Sequence, residues 1–181
     1  MTILTDYERP KMYSKQEAAI FNDARFSLIE AGTKSGKTVG CLIWLLEQAI
    51  DNDGIGKNFW WVAPTYTQSR IAFRRMKTYL APNWVGRTNE SELSFTLVTG
   101  SMIHFKSGEH PDSLYGEDVY GAVIDEASRC REEAWHAVRS TLTATRGSAR
   151  LIGNVRGRKN FFYRLSRRAE SGLKNFHYAK I

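Results

Sequence analysis

The sequence predicts an α/β protein with a mostly parallel sheet and helices on both faces. Three observations carry that expectation. Apolar runs of strand length alternate with stretches of helical periodicity along most of the chain. A loop of small and basic residues, AGTKSGKT at 31–38, joins the first strand to a long helix. A second apolar run, 119–124, ends in the adjacent acids Asp125 and Glu126.

The elements follow in order. Residues 14–24 read as a short helix opened by Ser14, with Glu17 three positions on. Residues 26–31 are an apolar strand and 32–36 a loop. The helix 37–50 carries Val39, Leu42, Leu45, Leu46 and Ala49 at helical spacing. A polar turn with two glycines, 51–57, leads to the strand 58–63, which stops at Pro64. A helix over 68–80 bears Arg70, Arg74, Arg75 and Lys77. The runs 94–98 and 102–106, split by Thr99-Gly100-Ser101, predict a hairpin, either inserted or at an antiparallel edge. The strand 119–124, a helix 132–141, a strand 150–153, a basic helix 161–168 and a strand 175–181 complete the chain. No Pro- or Gly-rich linker interrupts it, so residues 1–181 are expected to form one domain.

Composition agrees with a folded protein. The chain has 181 residues, 42% of them hydrophobic and 25% charged, enough for a sizeable core. Lys and Arg number 26 against 19 Asp and Glu, a formal charge of +7 that favours polyanionic partners without proving one. Cys41 and Cys130 lack metal-ligand spacing, and free thiols in a reducing cytosol are expected. Residues 1–11 hold no apolar signal core, and the apolar run 39–46 is too short for a bilayer. A soluble, unexported protein with no membrane partner is expected. The abrupt end within a strand suggests a piece of a longer chain.

The loop 31–38 matches the Walker A pattern with Ala31 in the first glycine position. Ala31, Gly32, Thr33, Lys34, Ser35 and Gly36 would let backbone N–H groups turn inward around phosphate oxygens. Lys37 would reach the β- and γ-phosphates, and the Thr38 hydroxyl would ligate magnesium. The helix that starts there points its positive end at the anion. The pattern alone is loose, but a strand before it and a helix after it are the context the motif requires. ATP and Mg2+ are the expected ligands.

The strand ending in Asp125 and Glu126 reads as a Walker B arrangement. Asp125 would hold magnesium beside Thr38, and Glu126 would polarise the attacking water. The competing reading is that the two acids only cap the helix that follows, since acids favour helix starts. A phosphate loop in the same chain decides against it, and the second acid argues for hydrolysis over mere binding. The long stretch between Lys37 and Asp125 fits a wiring in which another strand lies between the two motif strands. Asn154 ends the strand 150–153, where it could sense the γ-phosphate or the water, or simply begin a turn. Gln16 could read an adenine edge and Tyr13 could stack on the base; a surface helix start explains both equally well.

In order, these motifs resemble the N-terminal ATPase domain of bacteriophage terminase large subunits, the motors that package DNA. The resemblance covers roughly residues 12 to 165. It rests on Tyr13 and Gln16, the loop 31–38, WVAPT at 61–65 with QSR at 68–70, SLYG at 113–116, VIDEA at 123–127, and Gly153-Asn154. The resemblance implies a P-loop NTPase fold of the RecA-like, ASCE type. It also implies that Gln16 reads adenine, that Glu126 is the catalytic acid, and that Asn154 couples hydrolysis to DNA movement. Double-stranded DNA, a homo-oligomeric ring, a portal protein and a small terminase subunit are the implied partners. The cytoplasm of an infected bacterial host is the implied location.

The sequence departs from the family in two respects. Many terminases carry an arginine in the phosphate loop, where this chain has Thr33-Lys34. Lys34 would substitute, or a neighbouring subunit would supply the cation from Arg70, Arg74 or Arg75, which read equally well as a solvated basic face. The metal-binding acids of a C-terminal nuclease domain are also missing, so ATP hydrolysis without DNA cleavage is expected. Alternative readings are a helicase-like or repair translocase, and a nucleotide-binding regulatory module.

Overall fold

The computed structural model describes residues 6–154 and 157–181. Its first helix, α1 (Ser14–Ile20), is shorter than 14–24. Tyr13, not Ser14, is its N-cap, and the Tyr13 carbonyl accepts from the Glu17 N–H at 2.9 Å. The helix stops early because the Arg150 side chain takes the carbonyls of Ile20, Asn22 and Ala24, which otherwise need further turns or water.

Strand β1 (Phe26–Glu30) is buried along its whole length and leads through the loop into α2 (Lys37–Ile50). Strand β2 (Asn58–Ala63) precedes α3 (Tyr66–Met76). Helix α3 starts before the expected 68 because Thr65, in extended conformation, caps it by accepting from Gln68 N–H. Strand β3 (Val85–Asn89) was not foreseen. It is a polar, mostly exposed edge with no apolar alternation to reveal it. The hairpin is β4 (Ser94–Leu97) and β5 (Met102–Ser107), followed by β6 (Gly121–Ile124) and α4 (Glu132–Thr141). Then come β7 (Ser148–Gly153), α5 (Phe161–Glu170) and β8 (Phe176–Lys180).

The eight strands lie in the order β3-β4-β5-β2-β6-β7-β1-β8. The pairs from β5 through β8 are parallel; β3–β4 and β4–β5 are antiparallel. The hairpin therefore extends one edge, and its second strand runs with the parallel body. Successive strand residues face opposite sides, so Trp60 lies in one core with Trp135 and Phe162 while Trp61 lies in the other with Phe73 and Phe105. Helices α1, α2 and α3 cover the second of these faces, and α4 and α5 the first. Strand β7 separates β1 from β6, as the spacing of the two motifs implied. Cys41 and Cys130 are free and buried. Among the described residues no helix is long and apolar enough to cross a membrane.

Candidate functional site

Because β1, β7 and β6 are parallel neighbours, their C-terminal ends bring three loops together. These are the loop 31–36, Asn154 after β7, and Asp125-Glu126 after β6. The backbone in the first is bent to suit an anion. Lys34 and Gly36 have φ of 63° and 75°, and Gly36 is the N-cap of α2. The left-handed backbone at Gly36 favours glycine, and a Cβ there would stand 2.9 Å from the Gln16 amide nitrogen, which would have to shift.

Lys37, the first residue of α2, is 6% exposed. Its Nζ donates to Gly32 O and to Asn154 Oδ1, both at 3.2 Å. Both acceptors are neutral, and the ammonium sits at the positive end of a helix, an unfavourable place for a cation. Ser35 Oγ is buried with no hydrogen-bond partner among the described residues. An anion with several oxygens fits these donors. Gly32, Thr33 and Lys34 are exposed and Thr38 is half-buried.

Asp125 is fixed at the end of β6, where its N–H donates to Val62 O at 2.8 Å. Burial, and then the charge of neighbouring Glu126, push its carboxyl up to about 6, against the hydrogen bond from Glu126 N–H and weaker pulls from Lys37 and Arg75. A buried carboxylate in that position fits a divalent cation, which would offset the cost. Glu126 is half-buried and adopts the left-handed conformation, φ 46° and ψ 44°, which is rare for a side chain of its size. It makes no side-chain cap, and α4 begins only at Glu132, with Arg131 as its N-cap. The pair does precede a short 3-10 turn, Ala127–Arg129, and Asp125 Oδ1 accepts from Glu126 N–H at 2.9 Å, but the Glu126 side chain gives that turn no cap bond.

Gln16 is buried, and its Nε2 donates to Gly36 O at 2.7 Å. Its amide thus braces the loop 31–36 from below, while Tyr13, near it in sequence, is 80% exposed. Arg70, Arg74 and Arg75 are exposed on α3, and the charge of Arg75 acts on Asp125.

Two further supports belong to none of the sequence motifs. Arg150, at 2% exposure, donates to four backbone carbonyls and lies over the Trp44 ring at 4.5 Å. Glu30, the last residue of β1, accepts from Arg167 of α5 and Tyr178 of β8, each at 2.7 Å. The sequence did hold a signal for Glu30. It shares a strand face with Phe26 and Leu28, where an apolar residue belongs.

A family model described as "Terminase large subunit, T4likevirus-type, N-terminal" matches residues 28–169. The chain belongs to this family. Among solved structures, the terminase domain is similar to the large terminase ATPase domain of Thermus phage P74-26. The TM-score is 0.82 at 21% identity, over 94% of this chain and 80% of that one. The large terminase of the thermophilic bacteriophage D6E in complex with ADP gives 0.74 at 15%, over 94% of this chain and 45% of that one. The HK97 bacteriophage large terminase gives 0.76 at 15%, over 99% and 40%. Identities this low speak for the fold, which is that of a P-loop NTPase with a mostly parallel sheet. The terminase chain spans less than half the length of the D6E and HK97 proteins. No curated protein matches it by sequence.

Proposed function

We propose that this terminase domain, residues 1–181 acting as one unit, binds ATP with magnesium and hydrolyses it to drive double-stranded DNA into a phage shell. The observation that carries the reading is the buried Lys37 ammonium. Among the described residues its hydrogen bonds go to neutral oxygens alone, at a helix N-terminus, and its charge acts on the buried carboxyl of Asp125. That donor set asks for a polyphosphate and a divalent cation.

The residues divide the work. N–H groups of 32–38 and the Lys37 ammonium bind the β- and γ-phosphates. Thr38 and Asp125 would hold magnesium, which would supply charge neutralisation to the phosphate oxygens. Glu126 orients a water and takes its proton. Gln16 braces the loop and reads the adenine edge, with Tyr13 available to stack on the base. Asn154 connects the site to β7. Lys34, or one of Arg70, Arg74 and Arg75 from a neighbouring subunit, adds the cation that the transition state needs. The working assembly is a homo-oligomeric ring around DNA, with a portal protein and a small terminase subunit, in the cytoplasm of an infected bacterium. The D6E large terminase has been solved with ADP and with ATP-γ-S, which supports nucleotide binding within this fold.

The test is Glu126→Gln, which keeps the shape but cannot take a proton. ATP should still bind while turnover falls by roughly a hundredfold, the scale of general-base catalysis. Hydrolysis at the parent rate would remove Glu126 from the mechanism.

A further inference from the structure

We infer that Asn154 competes with the nucleotide for Lys37, so that β7 and the phosphate are alternative holders of one ammonium. The inference rests on the ATP-binding reading of the loop and adds a sign to it.

The bond from Lys37 Nζ to Asn154 Oδ1 is one of only two hydrogen bonds to this ammonium among the described residues, and the only one that leaves the loop. Gly32 O moves with the loop, whereas Asn154 belongs to the end of the neighbouring strand. One residue earlier, Ala31 N–H donates to Gly153 O at 3.0 Å, so loop and strand are fixed to each other there. The strands are thus locked at 31 and 153, and the side-chain bond beyond the lock is the one that can exchange.

The chemistry of the acceptor suits exchange. Lys37 is 6% exposed, so its ammonium has little water to replace a lost partner. An amide oxygen is a neutral acceptor and holds it moderately. Both bonds are charge-assisted through the ammonium, but phosphate oxygens carry negative charge of their own, add a Coulombic attraction that the amide lacks, and so win the ammonium. A carboxylate in the same position would form a buried ion pair and repel the incoming anion. Asparagine is therefore strong enough to hold Lys37 and weak enough to yield it. When the ammonium goes to phosphate, Asn154 loses its partner. When the nucleotide leaves, Asn154 recaptures it, which favours product release.

The sign separates this reading from a simple phosphate-sensing role, in which losing Asn154 would weaken binding. Calorimetry on the Glu126→Gln protein, with magnesium and ATP, is the measurement. Asn154→Ala and Asn154→Leu should each bind about tenfold more tightly, the scale of one hydrogen bond to a charged group. Asn154→Asp should bind more weakly than the parent. Tripolyphosphate without magnesium should give the same order, since neither base nor metal is involved. Release of a fluorescent ADP should be slower from Asn154→Ala. Folding is checked by circular dichroism, and the leucine variant, which fills the asparagine's volume, answers for the alanine variant if the latter is unstable. Unchanged or weaker binding by both apolar variants, with Lys37→Ala still abolishing binding, would overturn the competition and leave the nucleotide site standing. A parent protein that binds neither ATP nor tripolyphosphate would overturn both.

Discussion

Lys37 and Asp125 are buried charges whose partners in the chain are inadequate, and each can be tested separately. Lys37→Ala removes the buried cation that begins α2. It should weaken ATP binding by at least about 2 kcal/mol, the scale of a charge-assisted contact, as read by calorimetry with magnesium. Asp125 offers a test on stability. Its carboxyl is raised to about 6 in the folded chain, chiefly by burial, from 3.8. The folded state therefore holds the proton more tightly than the unfolded state. Above pH 6 the ionised carboxylate costs stability, and as the pH falls from 6 towards 4 that cost disappears. Asp125→Asn should then raise the thermal midpoint of the metal-free protein at pH 8, by the equivalent of about 1–3 kcal/mol. The gain should shrink to nearly nothing at pH 4. Thermal melts of both proteins across that range check it, and equal gains at both ends would show that burial of the charge is not the cause.

Helix α1 matters through what its two ends touch. At one end Gln16 props Gly36 of the phosphate loop. At the other, the Arg150 guanidinium satisfies the carbonyls of Ile20, Asn22 and Ala24. Burial lowers the Arg150 pKa to about 10, so it remains charged at neutral pH, with Trp44 against its face. Arg150→Met should leave three carbonyls without a donor and lower stability by about 3 kcal/mol. Amide exchange should accelerate in α1 before it does in β1 or β7. A global loss with no local change in α1 would mean that Arg150 serves the core alone. A second clamp, Glu30 with Arg167 and Tyr178, joins the root of the same loop to α5 and β8. The loop is thus braced from both faces of the sheet.

For the whole molecule the question is whether one chain is a complete site. Charge develops on the γ-phosphoryl oxygens during transfer, and an added arginine there is worth about 10³ or more in rate. Arg70, Arg74 and Arg75 lie exposed on α3, where a neighbour in a ring could meet them. The domain alone should therefore hydrolyse slowly, and its rate per chain should rise with concentration and with duplex DNA, which the +7 charge favours. Single alanine substitutions at the three arginines identify the donor. Mixing that variant with Glu126→Gln should restore activity, since one subunit gives the arginine and the other an intact site. A fast rate independent of concentration and of all three substitutions would exclude a finger from α3.

Local chemistry was legible in the chain itself. A strand, a turn of small residues and a helix start are contiguous at 26–50, so periodicity and motif specify this strand–loop–helix unit without help from elsewhere. The same holds for the apolar run ending in Asp125, and for the alternation that makes the sheet parallel. Helix α4 matched its expected bounds for a similar reason, since its apolar spacing is complete within the helix. What the sequence could not give depends on distant partners. Strand β3 exists because β4 offers it hydrogen bonds, and its own residues are polar. Helix α1 ends at Ile20 because a guanidinium far along the chain reaches its carbonyls. The contact between Lys37 and Asn154 depends on β7 lying beside β1, a matter of strand order that no local pattern encodes. Short-range propensity and spacing determined which groups this terminase domain carries. Sheet order, which is settled only when both faces are buried, decided which of those groups share a hydrogen bond.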